Sequence, residues 1–258
     1  MITGVKADIH KIIIQMQSLY IITGSSKGIG KALLEQLSQD SKNQIIGISR
    51  SEVNSDKPNV QNISLDLGNF NLIRQSFDGI FPEGEYRRIV LINNAGWIGQ
   101  IDYFGKLKAK NIQDIFNINT IAPALLMNEF VHRFAEYKQA ERLVINISSG
   151  AARKGIDGWS GYSASKAALN MMSEAAQEEA QKTDSGIKFF ALSPGVVDTA
   201  MQEDIRSAPE KGFSLLDKFK GLKADNALSS PDAAAEKIIY LIQNNADFKG
   251  VLQDVREF

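Results

Sequence analysis

Leu19-Tyr20-Ile21-Ile22-Thr23-Gly24-Ser25-Ser26-Lys27-Gly28-Ile29-Gly30-Lys31-Ala32-Leu33-Leu34-Glu35-Gln36-Leu37 decides the fold. A β-favouring run enters a glycine-rich turn, and the turn enters a helix-forming segment. Strand, glycine turn and helix in that order are the context a dinucleotide-binding turn requires. Glycines at 24, 28 and 30 let the backbone bend tightly and approach a diphosphate closely. The helix behind them offers unpaired N–H groups and the positive end of its dipole to the same place. The turn is not the phosphate loop of nucleoside triphosphatases. Ser25 stands where that pattern needs its first glycine, and Ala32 stands where a Ser or Thr would hold magnesium. A glycine turn that merely joins strand to helix is the alternative.

Working outward, Gln44–Ser49 is a second strand, and its end bears on the cofactor. An acidic residue there would bond the ribose 2′-hydroxyl of NAD. The chain has Arg50 and Ser51 instead, with Glu52 one step late and Lys27 in the glycine turn. Two cations and a hydroxyl suit a 2′-phosphate, so NADP(H) is favoured; otherwise both cations are ordinary surface residues. Val60–Leu65 alternates and ends at Asp66-Leu67, where Asp66 can N-cap a helix from about Asn69 to Gly79. Arg88–Ile92 is continuously apolar, as a strand covered on both faces should be, and runs into Asn93-Asn94-Ala95-Gly96. Leu143–Ile147, Ile187–Leu192 and Gly250–Gln253 are the remaining strands, the last ending at Asp254.

Between them, residues 97–110 form a loop in which Trp97, Tyr103 and Phe104 either rim a pocket or cover the core. A helix from about Asn111 to Tyr137 should kink at Pro123, which has no backbone donor. Residues 200–230, broken by Pro209, Gly212 and Gly221, read as a lid or loop region. Pro231 opens the last helix. The expected architecture is α/β: a Rossmann-type doubly wound parallel sheet of about seven strands with helices on both faces. It spans 18–258 as a single domain. Residues 1–17 are either an N-terminal extension or an over-long start, since Met16 can itself initiate.

The chemistry concentrates in Ser149-Gly150-Ala151 and Gly161-Tyr162-Ser163-Ala164-Ser165-Lys166. On a helix, Tyr162 and Lys166 share one face. A phenol is a weak acid-base group at neutral pH, because its reference pKa is about 10. Bringing it to neutrality needs roughly 4 kcal/mol of differential stabilisation. An adjacent ammonium together with a cationic nicotinamide would supply that by charge attraction. Ser149 closes the Leu143–Ile147 strand and faces the helix as a carbonyl clamp. Alone, Tyr-x-x-x-Lys can equally be a surface tyrosine packed along a lysine stem.

Joined to the glycine turn and to Asn93-Asn94-Ala95-Gly96, the Tyr–Lys pair makes the chain resemble the short-chain dehydrogenase/reductase family, over roughly Ser18 to Phe258. Gly-x3-Gly-x-Gly is that family's spacing. The resemblance implies hydride transfer between a nicotinamide and a carbonyl carbon. Ser149 would bond the carbonyl oxygen and Tyr162 deliver the proton. Lys166 would tune Tyr162 and hold the nicotinamide ribose, and Asn119 would hold a water of the proton relay. It implies cofactor contacts from Gly24, Ser26, Lys27, Gly28, Ile29 and Gly30, from Arg50 and Ser51, and from Asp66 and Leu67 beside the adenine. Asn93, Ala95 and Gly96 would support the cofactor, and Pro194, Gly195, Val197 and Thr199 its nicotinamide. Within the family, Asp157–Tyr162, Asp198–Gln202 and Phe248–Gly250 are similar to blocks in sepiapterin reductases and bacterial benzil reductases. That implies substrate contacts from Ser149, Trp159, Tyr162, Met201 and Asp254, the last anchoring a pterin or ending as a solvated terminus.

The resulting expectation is an NADPH-dependent reductase of ketones or vicinal dicarbonyls. Another short-chain oxidoreductase of 3-oxoacyl or sugar-alcohol type is an alternative, as is a catalytically silent NADP-binding sensor. The family builds dimers and tetramers through its long helices, so a homodimer or homotetramer is expected, although core packing explains the same small residues. The 258 residues, 43% apolar, are ample for one core. The net charge of −1 points to neither nucleic acid nor anionic membrane. Without cysteine and with only His10 and His132, no metal site is expected, and a reducing, cytoplasmic setting fits. No apolar run reaches the ~20 residues of a membrane span.

Overall fold

A computed structural model describes residues 17–258; the expected extension thus lies outside the described residues except for Gln17. Gln17 already begins the first strand, one residue earlier than expected. In chain order the elements are β1 (Gln17–Thr23), α1 (Gly28–Leu37), β2 (Asn43–Ser49), β3 (Val60–Ser64), α2 (Phe70–Gln75), α3 (Phe77–Ile80) and β4 (Tyr86–Asn93). There follow α4 (Ala109–Phe116), a π-helical segment (Asn117–Ile121), α5 (Ala122–Phe134), β5 (Glu141–Ile147), α6 (Ser160–Lys182) and β6 (Lys188–Ser193). The chain closes with α7 (Ala200–Arg206), α8 (Leu216–Ala224), α9 (Pro231–Gln243) and β7 (Leu252–Asp254).

The seven strands form one all-parallel sheet in the order β3-β2-β1-β4-β5-β6-β7. The strand order reverses between β1 and β4, and in such sheets the crevice beyond the strand ends at that point is where ligands bind. The two-residue period of the strands builds a separate core on each face. Leu19, Ile21, Ile89 and Leu91 pack with Leu126, Phe130 and Phe134 on one side. Tyr20, Ile22, Val90 and Ile92 pack with Leu33, Ile238 and Leu241 on the other. Burial on both faces is why these strands read as unbroken apolar runs.

Two expectations are corrected and one is refined. The helix after residue 110 runs on through Pro123 and ends at Phe134. It changes to π geometry over Asn117–Ile121, where the Ala122 N–H reaches back to the Asn117 carbonyl. This irregular turn lies directly before Pro123, whose missing N–H would break the regular bonding pattern within a helix. Residues 200–230 are not an open loop: two helices, α7 and α8, with a 3-10 turn at Glu210–Gly212 between them, bury Ile205, Leu216 and Phe219. The alternative of Asp66 as a helix cap also fails. Asn69 is the cap, accepting from the Leu72 N–H, while Asp66 accepts from the Gly68 N–H.

One buried cation ties α5 to the sheet. Arg142, 5% exposed, donates to the carbonyls of Phe134 and Ala135 at the end of α5 (2.9 and 2.6 Å) and to Ala140 (3.1 Å). It supplies partners to carbonyls that a helix end otherwise leaves open. Arg142→Met should leave those carbonyls buried and unpaired and cost about 3 kcal/mol, read as a lowered urea midpoint with an unchanged slope.

Candidate active site

The cradle is built where β1 and β4 part. The Thr23 hydroxyl accepts from the Asn94 and Ala95 N–H groups, both at 3.0 Å. The Asn94 amide donates back to the carbonyls of Thr23 (2.9 Å) and Gly24 (3.3 Å). This closure leaves no room for side chains. A Cβ on Gly30 would lie 2.2 Å from the Gly24 carbonyl oxygen, and one on Gly24, at φ +70°, 2.9 Å from the Ala95 Cα. The ten-residue α1 has no side-chain cap and no acidic residue in its first turn. Its first N–H groups therefore keep their capacity for an anion from outside. Gly28 faces Thr199, whose methyl group a Cβ there would meet at 3.1 Å. Ser26 and Ile29 are partly exposed in the same turn, and Lys27 is exposed. The cradle thus fits a diphosphate.

Beyond β2, Arg50 and Ser51 are exposed. Their backbone is fixed by the Ser64 hydroxyl donating to the Arg50 carbonyl (3.1 Å) and the Ser49 hydroxyl donating to the Ser51 carbonyl (2.7 Å). Arg50 and Asp66 line a cleft of about 550 Å³ with Gly68, Asn69 and Lys110. Leu67 is buried beside it. Asn93 is not in the cradle: its side chain points into the sheet and donates to Asn146 at 2.8 Å. The residue that works at this turn is its neighbour Asn94. On the opposite side, Gly195 turns at φ +75°, Pro194 is partly buried and Val197 is buried, bridged to Ser229.

The reactive side chains converge at the end of β5. Tyr162 and Lys166 lie one turn apart on the buried face of α6. The Lys166 ammonium donates to the Ile147 carbonyl at 2.7 Å and sits 6.0 Å from the Tyr162 ring centre. Gly96 passes so close that a Cβ there would be 3.4 Å from Nζ. Asn119, fully buried in the π segment, clamps the Trp97 backbone from both sides, accepting from its N–H and donating to its carbonyl, each at 2.8 Å; it also donates to Ser165 (3.1 Å). Ser149 is extended, and its hydroxyl accepts from the Ala151 N–H at 3.1 Å.

The protein's own groups do not by themselves acidify the phenol. Burial pushes the Tyr162 phenol above its ordinary value, and a hydrogen bond with Ser149 pulls it only part of the way back. Burial also brings Lys166 down to about 8.

A third apolar cluster roofs the site. Trp159 stacks on Phe213 (ring centres 5.1 Å, planes 15° apart), leans on Phe219 (5.3 Å) and meets Tyr162 edge-on (5.6 Å, 79°). Met201 packs against the same cluster. Asp157 holds the roof: it accepts from the Ser214 N–H (2.8 Å), the Ser214 hydroxyl (2.7 Å) and the Tyr103 hydroxyl (3.2 Å). Those bonds, led by Ser214, keep its carboxyl below the usual range. Tyr103 therefore serves the roof, whereas Phe104 is 79% exposed and neither covers the core nor lines this cluster. Asp254 is buried, and its carboxylate is already paired with Arg256 (2.8 and 2.5 Å).

Lys166 makes stability depend on pH. Its folded value lies below the unfolded one of about 10.4, so the protonated amine opposes folding at and below about pH 8, and the opposition fades as pH rises. The phenol of Tyr162, raised instead, acts in the other direction only above about pH 10. Between pH 8 and 10 the wild type should gain roughly 2 kcal/mol on Lys166→Met. Urea titrations of both proteins check it; parallel pH profiles would contradict the burial argument.

Among known proteins, the short chain dehydrogenase family matches residues 18–210. A benzil reductase ((S)-benzoin forming) of Bacillus subtilis (strain 168) is 34% identical over 243 residues, covering 93% of this chain and 99% of its own. Sepiapterin reductase of Mus musculus is 26% identical over 254 residues, covering 91% and 95%. Among solved structures, 4-hydroxyisoleucine dehydrogenase complexed with NADH superposes with a TM-score of 0.76 at 24% identity, covering 92% of this chain and 96% of the other. Sheet order, glycine cradle and the Tyr162–Lys166 face agree with the sequence match, and the chain belongs to the short-chain dehydrogenase family.

Proposed function

We propose that the protein is an NADPH-dependent carbonyl reductase acting on ketones or vicinal dicarbonyls, of the benzil and sepiapterin reductase type. The observation that carries this reading is the convergence of Ser149, Tyr162, Lys166 and Asn119 beside an uncapped helix N-terminus at the switch point of the sheet. The likeness to the Bacillus benzil reductase over nearly the whole of both chains supports the substrate class.

In this reading the Gly24–Gly30 turn holds the diphosphate of a nicotinamide cofactor, and Arg50, Ser51 and Lys27 hold a 2′-phosphate. Asp66 and Leu67 flank the adenine, and Ala95, Gly96, Pro194, Gly195, Val197 and Thr199 border the nicotinamide half. The bound cofactor supplies the hydride. Ser149 donates to the carbonyl oxygen and orients it toward Tyr162. The raised phenol is an advantage here: it stays protonated at neutral pH and can give its proton to the developing alkoxide. Lys166 has spent one N–H on Ile147, which leaves two for the cofactor ribose and the relay. Asn119 fixes the Trp97 backbone and so the wall behind Lys166. Met171, Ile112 and Ile121 stand exposed on α6, α4 and the π segment, which supports a homo-oligomer formed through these helices. Among the described residues no helix is long and apolar enough to cross a membrane, and no cluster of ligating side chains is suited to a metal.

NADPH consumption with benzil, diacetyl and sepiapterin, with NADH as the control, tests the reading. Tyr162→Phe should lower kcat by about 10²–10⁴-fold with any of them; near wild-type turnover would falsify the proton-donor role. Arg50→Ala should reduce kcat/KM for NADPH by about 10–100-fold, the worth of one charge-assisted bond, while leaving NADH unchanged. Equal effects on the two cofactors would remove the 2′-phosphate assignment.

A further inference from the structure

We infer that the Lys110–Asp114 ion pair helps select NADP(H) over NAD(H): by cancelling the Asp114 charge, Lys110 keeps the α4 wall of the cleft it shares with Arg50 from repelling a 2′-phosphate. This rests on the NADP(H) reading of the same cleft and adds to it a pair of residues outside the glycine turn and the end of β2.

The cleft is lined by four charged side chains. Arg50 follows β2, Asp66 follows β3, and Lys110 and Asp114 stand on α4. Two cations and two carboxylates sum to zero. A phosphate monoester brings a charge of about −1.5 to −2 at neutral pH, so the carboxylates are what opposes it. Asp66 accepts from the Gly68 N–H at 2.9 Å. Asp114 is answered by Lys110, one helical turn earlier, whose Nζ donates to both carboxylate oxygens at 3.0 and 2.9 Å. Among the described residues, no other side chain bonds the Asp114 carboxylate.

Across a compact space of about 550 Å³, roughly 8 Å wide, a unit charge changes the affinity of a dianion about fivefold through water. The Debye length of about 10 Å at 0.1 M salt leaves much of that effect in place. The fold depends on the pair far less. The Lys110 side chain is 82% exposed, and exposed pairs at this spacing add little to stability.

Calorimetric titration of the cofactor-free protein with 2′,5′-ADP and with 5′-AMP reads the effect without turnover, because the two ligands differ only by the 2′-phosphate. At low salt, Lys110→Met should weaken 2′,5′-ADP about fivefold and 5′-AMP much less. Asp114→Asn should tighten 2′,5′-ADP by a similar factor, a gain that misfolding cannot mimic. The double variant Lys110→Met/Asp114→Asn restores the net charge of the wild type and should bind within about twofold of it. About 0.5 M salt should shrink every difference. If neither single variant changes the preference for 2′,5′-ADP, or the double variant stays as weak as Lys110→Met, the inference falls while the NADP(H) reading stands. If the wild type itself binds 2′,5′-ADP no better than 5′-AMP, the NADP(H) reading falls and takes this inference with it.

Discussion

The tie between the ends of β1 and β4 governs the rest of the molecule. Thr23-Gly24 and Asn94-Ala95 are joined by four hydrogen bonds across the point where neighbouring connections leave the sheet in opposite directions. Strands that diverge there would otherwise leave open backbone groups in a buried place, at a cost of about 1–3 kcal/mol each. The tie draws the glycine turn onto the following turn so closely that Gly24 and Gly30 admit no side chain. It thereby aims the start of α1 at the same crevice that receives Tyr162 and Lys166 from the other side.

The reactive centre is locally unfavourable and is held by what surrounds it. An amine and a phenol are both withdrawn from water, and each resists taking its charged form. Such strain persists only where packing over-determines the arrangement. The two sheet cores fix β5 and α6 from below, and the Trp159–Phe213–Phe219 stack presses from above. Asp157 accepts two hydrogen bonds from Ser214 and one from Tyr103, so the cover over the substrate space is fastened at two separate chain segments.

Much of this was legible in the residues. The doubly buried strands announce themselves as apolar runs, and the glycine turn and the Tyr162–Lys166 spacing place the cradle and the reactive face. What escaped depended on contacts between distant segments. Residues 200–230 look like a loop because their polar residues, proline and glycines mask two short helices whose few apolar side chains meet only Trp159 and its neighbours. Asn93 and Asn94 are indistinguishable in sequence; strand alternation sends the first into the sheet and leaves the second for the turn. Asp157 opens a block that resembles known reductases, but its work as a fastener is hidden, because its partner Ser214 lies 57 residues away. The burial that raises the Tyr162 phenol is likewise invisible in sequence.

The π segment at Asn117–Ile121 has its own consequence for how this chain tolerates insertion and deletion. A π turn accommodates one residue more than an α-helix would. Trimming a single amino acid inside the segment would restore ordinary winding and keep α4 and α5 in register, so Phe130 and Phe134 would stay against the sheet. The same trim within α5 would rotate everything beyond by about 100° and swing them off it. The π segment thus absorbs a change of length that the regular helix cannot, at the expense of the Asn119 hold on the Trp97 backbone.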